Sequence, residues 1–415
     1  MSVTARPRAA SAPAGKTEPA AAKRAGRGHH WIRKADADQT RASFPELFFD
    51  LVFVFALVQL AKTLATDFGP TALAEAALLI LAIWWVWIHT TWVTNLLDTE
   101  QDPVRLMLFL LMFGGILLAI ALPGAFADHG FAFAMIYCCM QIGRSVFMLL
   151  AYRRVDAASF RTFLRITLWL VLASLFWLVG SQMETTARIA LWSVALLVEY
   201  LAPALRYYLP GLGRSAPETL DVSGKHMAER CALFVIICLG ETILTTGRNA
   251  AEHMTDDMTF AVFCSAFLST GFMWWIYFHH GQEKAADKAE ATSKPEALSL
   301  NLFTYGHLPI VSGVILTAVG EDFSLSHAEE ESTMKTALAV LGGPALFLAG
   351  NIWIKLAAAR QFPISHVVGL AGLAAAGMLF AVAANYHLQF LATTILFVVA
   401  IWEYLALRGA SASTA

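Results

Sequence analysis

From Phe44 onward the chain is a succession of apolar runs about 20 residues long, separated by short polar gaps. A helix of roughly 20 residues is what crosses the hydrocarbon core of a bilayer, and inside that core every backbone polar group must be satisfied within the segment. The runs therefore specify membrane helices. Twelve spans are expected, at about 44–66, 71–95, 104–124, 130–152, 160–181, 186–206, 228–250, 257–280, 299–319, 334–356, 364–385 and 386–408. Composition agrees, because only 14% of the 415 residues are charged and 58% are hydrophobic, whereas soluble domains carry about a quarter charged residues. A net charge of -2 leaves no basic domain for a nucleic acid. The five cysteines lie inside apolar runs without metal-ligand spacing and are expected to be small core residues.

Residues 1–43 are rich in Ala, Pro, Gly, Arg and Lys and are expected to form a disordered basic arm. The gaps on one side of the membrane hold Arg153, Arg154, Arg161, Arg206, Arg214, Lys225, Lys284, Lys288, Lys294, Lys355, Arg360 and Arg408. Those on the other side hold Lys62, Arg188, Arg248 and Lys335, and one of them is acidic through Glu321, Asp322, Glu329, Glu330 and Glu331. By the positive-inside rule both termini are cytoplasmic.

An internal repeat is expected as well. Trp84-Trp85-Val86-Trp87-Ile88-His89 in span two recurs as Trp274-Trp275-Ile276-Tyr277-Phe278-His279 in span eight. Glu199-Tyr200-Leu201-Ala202 in span six recurs as Glu403-Tyr404-Leu405-Ala406 in span twelve, and Gly143 and Gly350 are a weaker echo. The fold class expected is an all-α membrane protein of about twelve transmembrane helices arranged as two parallel six-helix repeats. Its parts are the arm (1–43), a first repeat (44–206), a cytoplasmic linker (207–227), a second repeat (228–408) and a short tail (409–415).

Ionisable residues inside the spans need a partner, water or a role, since burying one costs about 2.5–3.5 kcal/mol on insertion scales. Glu46 stands three residues after Ser43, the capping-box spacing, so it either ties down the first turn or has a functional role. Asp50 lies one turn deeper on the same face, beyond the reach of capping. His89 and His279 follow their tryptophans by one turn; they form either the polar tip of an aromatic belt or, for His89, an imidazole partner for Asp50. Arg144 and the carboxylates Glu199, Glu241 and Glu403 are read either as interhelical ion pairs or as part of a pathway. Buried carboxylates outnumber buried cations, even counting Arg230 and Lys355. Glycines at Gly114-Gly115 and Gly342-Gly343, the latter followed by Pro344, mark close packing or kinks.

The segment Pro45 to Ala61, PELFFDLVFVFALVQLA, strongly resembles the opening signature of the bacterial low temperature requirement protein A family. The block Glu229-Arg230-Cys231-Ala232 through Leu239-Gly240-Glu241 resembles that family's second recurring segment, with Cys231 and Ala232 in place of Phe-Gly. The resemblance implies a multi-pass membrane protein associated with growth at low temperature, and adds Glu229 and Arg230 to the candidate residues. A more distant similarity, through Phe49-Asp50, is to lysosomal potassium channels of two six-helix repeats; here Leu233 stands where the second half would need an aspartate. No HExxH, GxSxG or aspartyl dyad is present, so neither an enzyme nor a cofactor or metal site is expected. The expected function is transport or channel-like passage of a small solute or cation, with a non-transporting membrane scaffold or sensor as the alternative; the partner expected in either case is the lipid bilayer.

Overall fold

The computed structural model describes residues 31–33, 41–216, 222–253, 256–279, 298–359 and 362–413. The remainder of the basic arm, part of the linker, and Lys284, Lys288, Lys294 and Arg360 lie outside the described residues. The helices, in order, are α1 (Phe44–Thr66), α2 (Pro70–Leu96), α3 (Asp102–Ala121), α4 (Gly130–Tyr152), α5 (Ala157–Ser181), α6 (Thr185–Ala204), α7 (Gly224–His253), α8 (Asp257–Phe278), α9 (His307–Ser326), α10 (Met334–Ala359), α11 (Ile364–Gly377) and α12 (Asn385–Ser413). Among the described residues there is no strand, only isolated bridges. The helix starts follow local chemistry. Proline occupies the first turn of α1, α2 and α3, where its missing N–H has no intrahelical partner to lose. The carboxylate of Asp156 accepts from the free N–H groups of Ala158 and Ser159 at the start of α5, and that of Asp256 accepts from Thr259 at the start of α8.

Among the described residues ten segments are long and apolar enough to cross a membrane. The other two expected spans differ. α7 runs for 30 residues but carries Glu229, Arg230, Glu241 and Arg248. α11 has 14 residues and stops at Gly377, where tight turns from Met378 to Val382 replace helix. Asn385 then opens α12 with its N–H on the Glu330 carbonyl and its side-chain amide on the His327 carbonyl. Three boundaries also move. α9, preceded by a π-helical turn at Leu300–Tyr305, extends to Ser326 rather than ending near residue 319. α7 begins at Gly224, inside the expected linker. α12 continues into the expected tail as far as Ser413. In the arm, Trp31 to Arg33 are anchored, with Arg33 N–H on the Leu96 carbonyl and Trp31 stacked on Phe147.

α1 packs on α2, α3, α7 and α9; α3 packs on α4, α4 on α5, α5 on α6, and α6 returns to α2. From α7 the order is α8 and α9, then α9 on α10, α10 on α11, α11 on α12, and α12 back on α8. Large apolar side chains face outward along single stripes, as on α3, where Leu106, Phe109, Leu110 and Phe113 are all exposed. An outward apolar stripe is the surface that lipid covers.

α9 and α10 lie backbone to backbone, and glycine allows it. A methyl group on Gly320 would lie 2.6 Å from the Val340 Cα, and one on Gly350 would lie 2.8 Å from the Ile310 backbone nitrogen. One on Gly343 would run into the backbone of Thr317. Lipid gives helices no hydrophobic reason to associate, so such backbone contact supplies the adhesion. Gly143, by contrast, has open space around its Cβ position and is no counterpart of Gly350. Gly343→Ala is expected to cost about 1–3 kcal/mol, as overpacking does, whereas Gly271→Ala, with no neighbour within 4 Å, stays within about 0.5 kcal/mol. Thermal unfolding of the two variants in detergent checks this, and equal melting temperatures would contradict it.

Candidate functional site

The capping box expected at Ser43 forms: its N–H and Oγ–H each donate to Glu46 Oε2 at 2.9 Å. That leaves the other carboxylate oxygen directed inward. There Arg230 of α7 meets both carboxylates of α1. Its Nη1 lies 2.8 Å from Glu46 Oε1, its Nη2 pairs with Asp50 Oδ1, and its Nε donates to Asp50 Oδ2 at 3.2 Å. All three side chains are fully buried. Trp87 of α2 donates Nε1–H to Asp50 Oδ1 at 2.7 Å, and Thr94 Oγ accepts from Arg230 Nη1 at 3.3 Å. The spacing of Glu46 and Asp50, four residues apart, presents them one turn apart on the face that meets α7.

His226, one turn before Arg230, completes the cluster with Nε2 at 3.2 Å from Glu46 Oε1. Its tautomer follows from a chain of donors. The backbone N–H of Ser223 can only donate, and it does so to Asn95 Oδ1 at 2.9 Å. The Asn95 amide nitrogen therefore faces the Ser223 carbonyl at 2.9 Å and His226 Nδ1 at 3.2 Å. Nδ1 accepts, so Nε2 carries the proton and donates to Glu46. Arg33, from the anchored piece of the arm, donates to the Thr94 carbonyl beside the cluster. Burial lowers the pKa of its guanidinium, against the opposing pull of Glu46 and Asp98.

Glu46, Asp50 and Arg230 thus come together, and the other candidates do not join them. His89 is not a partner of Asp50; its ring lies tilted against Trp85 at 4.3 Å between ring centroids, and Trp85 stacks in turn on Tyr200 at 4.1 Å. Asp50 prefers Arg230 because a guanidinium offers it two donors and a full charge, which a neutral imidazole does not. His279 is exposed and stacks on Trp275 at 4.9 Å, with Tyr404 alongside at 5.7 Å. Arg144 and Glu199 are both buried and are joined through neutral side chains. Arg144 donates to Gln141, Gln141 donates to Tyr137 at 3.2 Å, and Tyr137 donates to Glu199, which also accepts from Trp177. Glu403 pairs with Lys355 and accepts from Ser365, with His366 nearby at 3.5 Å. Glu229 and Glu241 on α7 are half-buried and stand outside the cluster.

Two residues with a place in this picture lie where the sequence suggests loops. His226 falls in the expected linker, although its spacing to Arg230 marks it as the preceding turn of the same helix face. Glu321, assigned to an acidic outer loop, is buried inside α9 and meets Thr246 of α7 at 2.6 Å and Thr270 of α8 at 3.5 Å. Among the described residues no group of three His, Cys, Asp or Glu is arranged to hold a metal ion. All five cysteines are free thiols, three of them buried.

A bundle of membrane-length helices around a buried ion cluster defines a multi-pass helical membrane protein. The family profile described as bacterial low temperature requirement A protein (LtrA) matches residues 41–401, and the chain belongs to that family. It is 57% identical over 386 residues, 93% of this chain and 94% of the other, to a Rhizobium meliloti (strain 1021) protein carrying the name Uncharacterized protein RA0937. No solved structure matches.

Arg230→Met is expected to destabilise the fold by about 3–5 kcal/mol, because two buried carboxylates lose their cation. Neutralising them as well, in Arg230→Met with Glu46→Gln and Asp50→Asn, is expected to recover most of that loss. Melting curves of the single and triple variants decide it, and a triple variant no more stable than the single one would show that the carboxylates do not depend on Arg230.

Proposed function

We propose that this protein is a transporter or channel-like protein for a small solute or cation, not an enzyme. In this reading it consists of two parallel six-helix halves, α1–α6 and α7–α12, set in the cell membrane with both termini cytoplasmic. The association with low temperature comes from the family's description. The observation that carries the reading is the ion cluster itself, because it lies where the first helices of the two halves meet, and solute sites in repeat-built transporters lie between their repeats.

Supporting the halves, the order of helix neighbours from α1 to α6 recurs from α7 to α12. The set of touching rings Trp85, His89 and Tyr200 has a counterpart in Trp275, His279 and Tyr404. Glu199 draws its partners from α4 and α5 as Glu403 draws its own from α10 and α11. α7 counts as a span here, since 30 residues of helix rise about 45 Å and Arg230 is turned onto α1. The π-helical turn before α9 resembles the interrupted helices that line transporter sites.

A second reading, a membrane scaffold or sensor, draws on a specific observation: Glu46 and Asp50 are already matched by Arg230, so the cluster can serve as an interhelical lock. Proteoliposomes loaded with dyes for sodium, potassium and protons separate the two. Transport requires flux in the wild type that falls at least tenfold in Asp50→Asn while the variant keeps its elution profile. Undiminished flux in Asp50→Asn would remove this site from the pathway. Absence of flux for all three ions, together with growth in the cold restored by exchanging Glu46 and Arg230, would favour the scaffold.

A further inference from the structure

Glu321 is 1% exposed, and hydroxyls are its polar partners: Thr246 Oγ1 at 2.6 Å from Oε2 and Thr270 Oγ1 at 3.5 Å from Oε1. The charged side chains of the helices around it are engaged or directed elsewhere. On α7, Arg230 is paired with Glu46 and Asp50, Glu241 is half-buried, and Arg248 and Glu252 are exposed. On α8, Asp257 is exposed; of the other helices that touch α9, α1 carries Lys62 and α12 carries His387, both exposed, and α2 carries Glu75, half-buried. On α9 itself, Asp322 accepts from Asn249 of α7. On α10, Lys335 lies over the Phe323 ring and Lys355 pairs with Glu403 of α12. Among the described residues Glu321 therefore forms no ion pair.

The hydrogen-bond arithmetic around Thr246 is decisive. Its Oγ1 lies 2.8 Å from the Thr242 carbonyl as well as 2.6 Å from Glu321, and a hydroxyl has one proton to give. If Glu321 were ionised, both neighbours would compete for that proton, and a full charge would stand in the apolar interior on one short and one marginal hydrogen bond. With a proton on Glu321 Oε2 the conflict disappears. The carboxyl donates to Thr246, Thr246 donates to Thr242, and each proton has an acceptor. Two further buried hydroxyls, Ser324 on α9 and Ser269 on α8, have no hydrogen-bond partner among the described residues, so the neighbourhood is polar without being charged.

We infer that Glu321 is a proton-binding site of this protein, held in its neutral acid form between α7, α8 and α9. It lies five residues from the end of α9, beyond which Glu329, Glu330 and Glu331 are exposed. Their negative charge raises the local concentration of cations, protons included, at the end of the helix nearest the site. Glu199 makes the contrast. Both of its oxygens accept from donors with a proton to spare, Tyr137 on Oε2 and Trp177 on Oε1, so no hydroxyl there is asked to give one proton twice. Any coupling of the Glu321 proton to a solute rests on the transport reading above, whereas the site itself does not.

Infrared spectroscopy of the full-length protein at neutral pH tests the assignment through the C=O stretch of a protonated carboxyl group, recognised by its shift in D2O. The expected result is a band present in the wild type and in Glu199→Gln, and absent from Glu321→Gln. Thr246→Val, which removes the acceptor and keeps the shape, is expected to shift the same band and so covers the case in which Glu321→Gln does not fold. No band in the wild type, or a band indifferent to both the Glu321 and Thr246 changes, would overturn the proposal. So would a band erased by added sodium at constant pH, which would make the site one for a metal cation. A band that behaves as expected in a protein without ion flux would leave the proton site standing and the transport reading refuted.

Discussion

A guanidinium that cannot reach water fixes where α1 and α7 meet. Taking one charge from water into protein costs several kcal/mol, and close opposite charges with good hydrogen bonds are what offset it. Arg230 finds Glu46 and Asp50, and through them it governs more than a contact. Glu46 is also the reciprocal cap of Ser43, so the first turn of α1 and the ion cluster share one carboxylate. On the other side, Ser223 orients Asn95, Asn95 sets the His226 tautomer, and His226 donates to Glu46. The starts of α1 and α7 and the end of α2 are thereby held by one connected polar network.

The remaining buried charges are handled in different ways, each set by the partners available. Arg188 directs its two terminal nitrogens to the carbonyls of Ala125, Ala127, Ser181 and Met183, closing two loops with no ion pair within 4 Å among the described residues. Arg144 and Glu199 do not pair directly; the amide of Gln141 and the phenol of Tyr137 connect them in one donor chain. Lys355 and Glu403 pair directly where both retain some contact with the surroundings. An excess of carboxylates in the sequence is therefore not an excess of negative charge.

The membrane character, the helix order and most helix ends were legible in the sequence because they depend on run length and on local capping, which need no knowledge of distant neighbours. Glu46, Asp50 and Arg230 were legible as unusual residues, since an ionisable group in an apolar run stands out. Their pairing was not. Asp50 with His89 looked plausible because α1 and α2 are adjacent and antiparallel, but the choice between imidazole and guanidinium depends on how α7 packs on α1, which periodicity does not encode. Glu321 was hidden for a related reason: the run of acidic residues around it reads as a solvated loop, and only the packing of α7 and α8 on the last turns of α9 turns it inward.

Two kinds of seam hold these helices, and the difference has consequences. Along α9 and α10 the glycines bring backbone against backbone, an adhesion made of short-range dispersion that fades with a fraction of an ångström of separation. Between α2 and the turn before α9 the contacts are polar and directional. The π-helical turn at Leu300–Tyr305 and the break at Gly306 leave the Thr304 carbonyl without a helical donor, a state the interior tolerates only if another group supplies one. Trp84 does so at 2.7 Å, while Trp92 donates to the Thr304 hydroxyl at 2.9 Å and Tyr305 donates to the Tyr200 carbonyl at 2.9 Å. The irregular turn is therefore held by tryptophans placed some two hundred residues earlier. Of the fully enclosed tryptophans of α2, Trp84 serves this carbonyl and Trp87 serves Asp50, whereas Trp274 and Trp275 at the matching place on α8 remain 44% and 38% exposed.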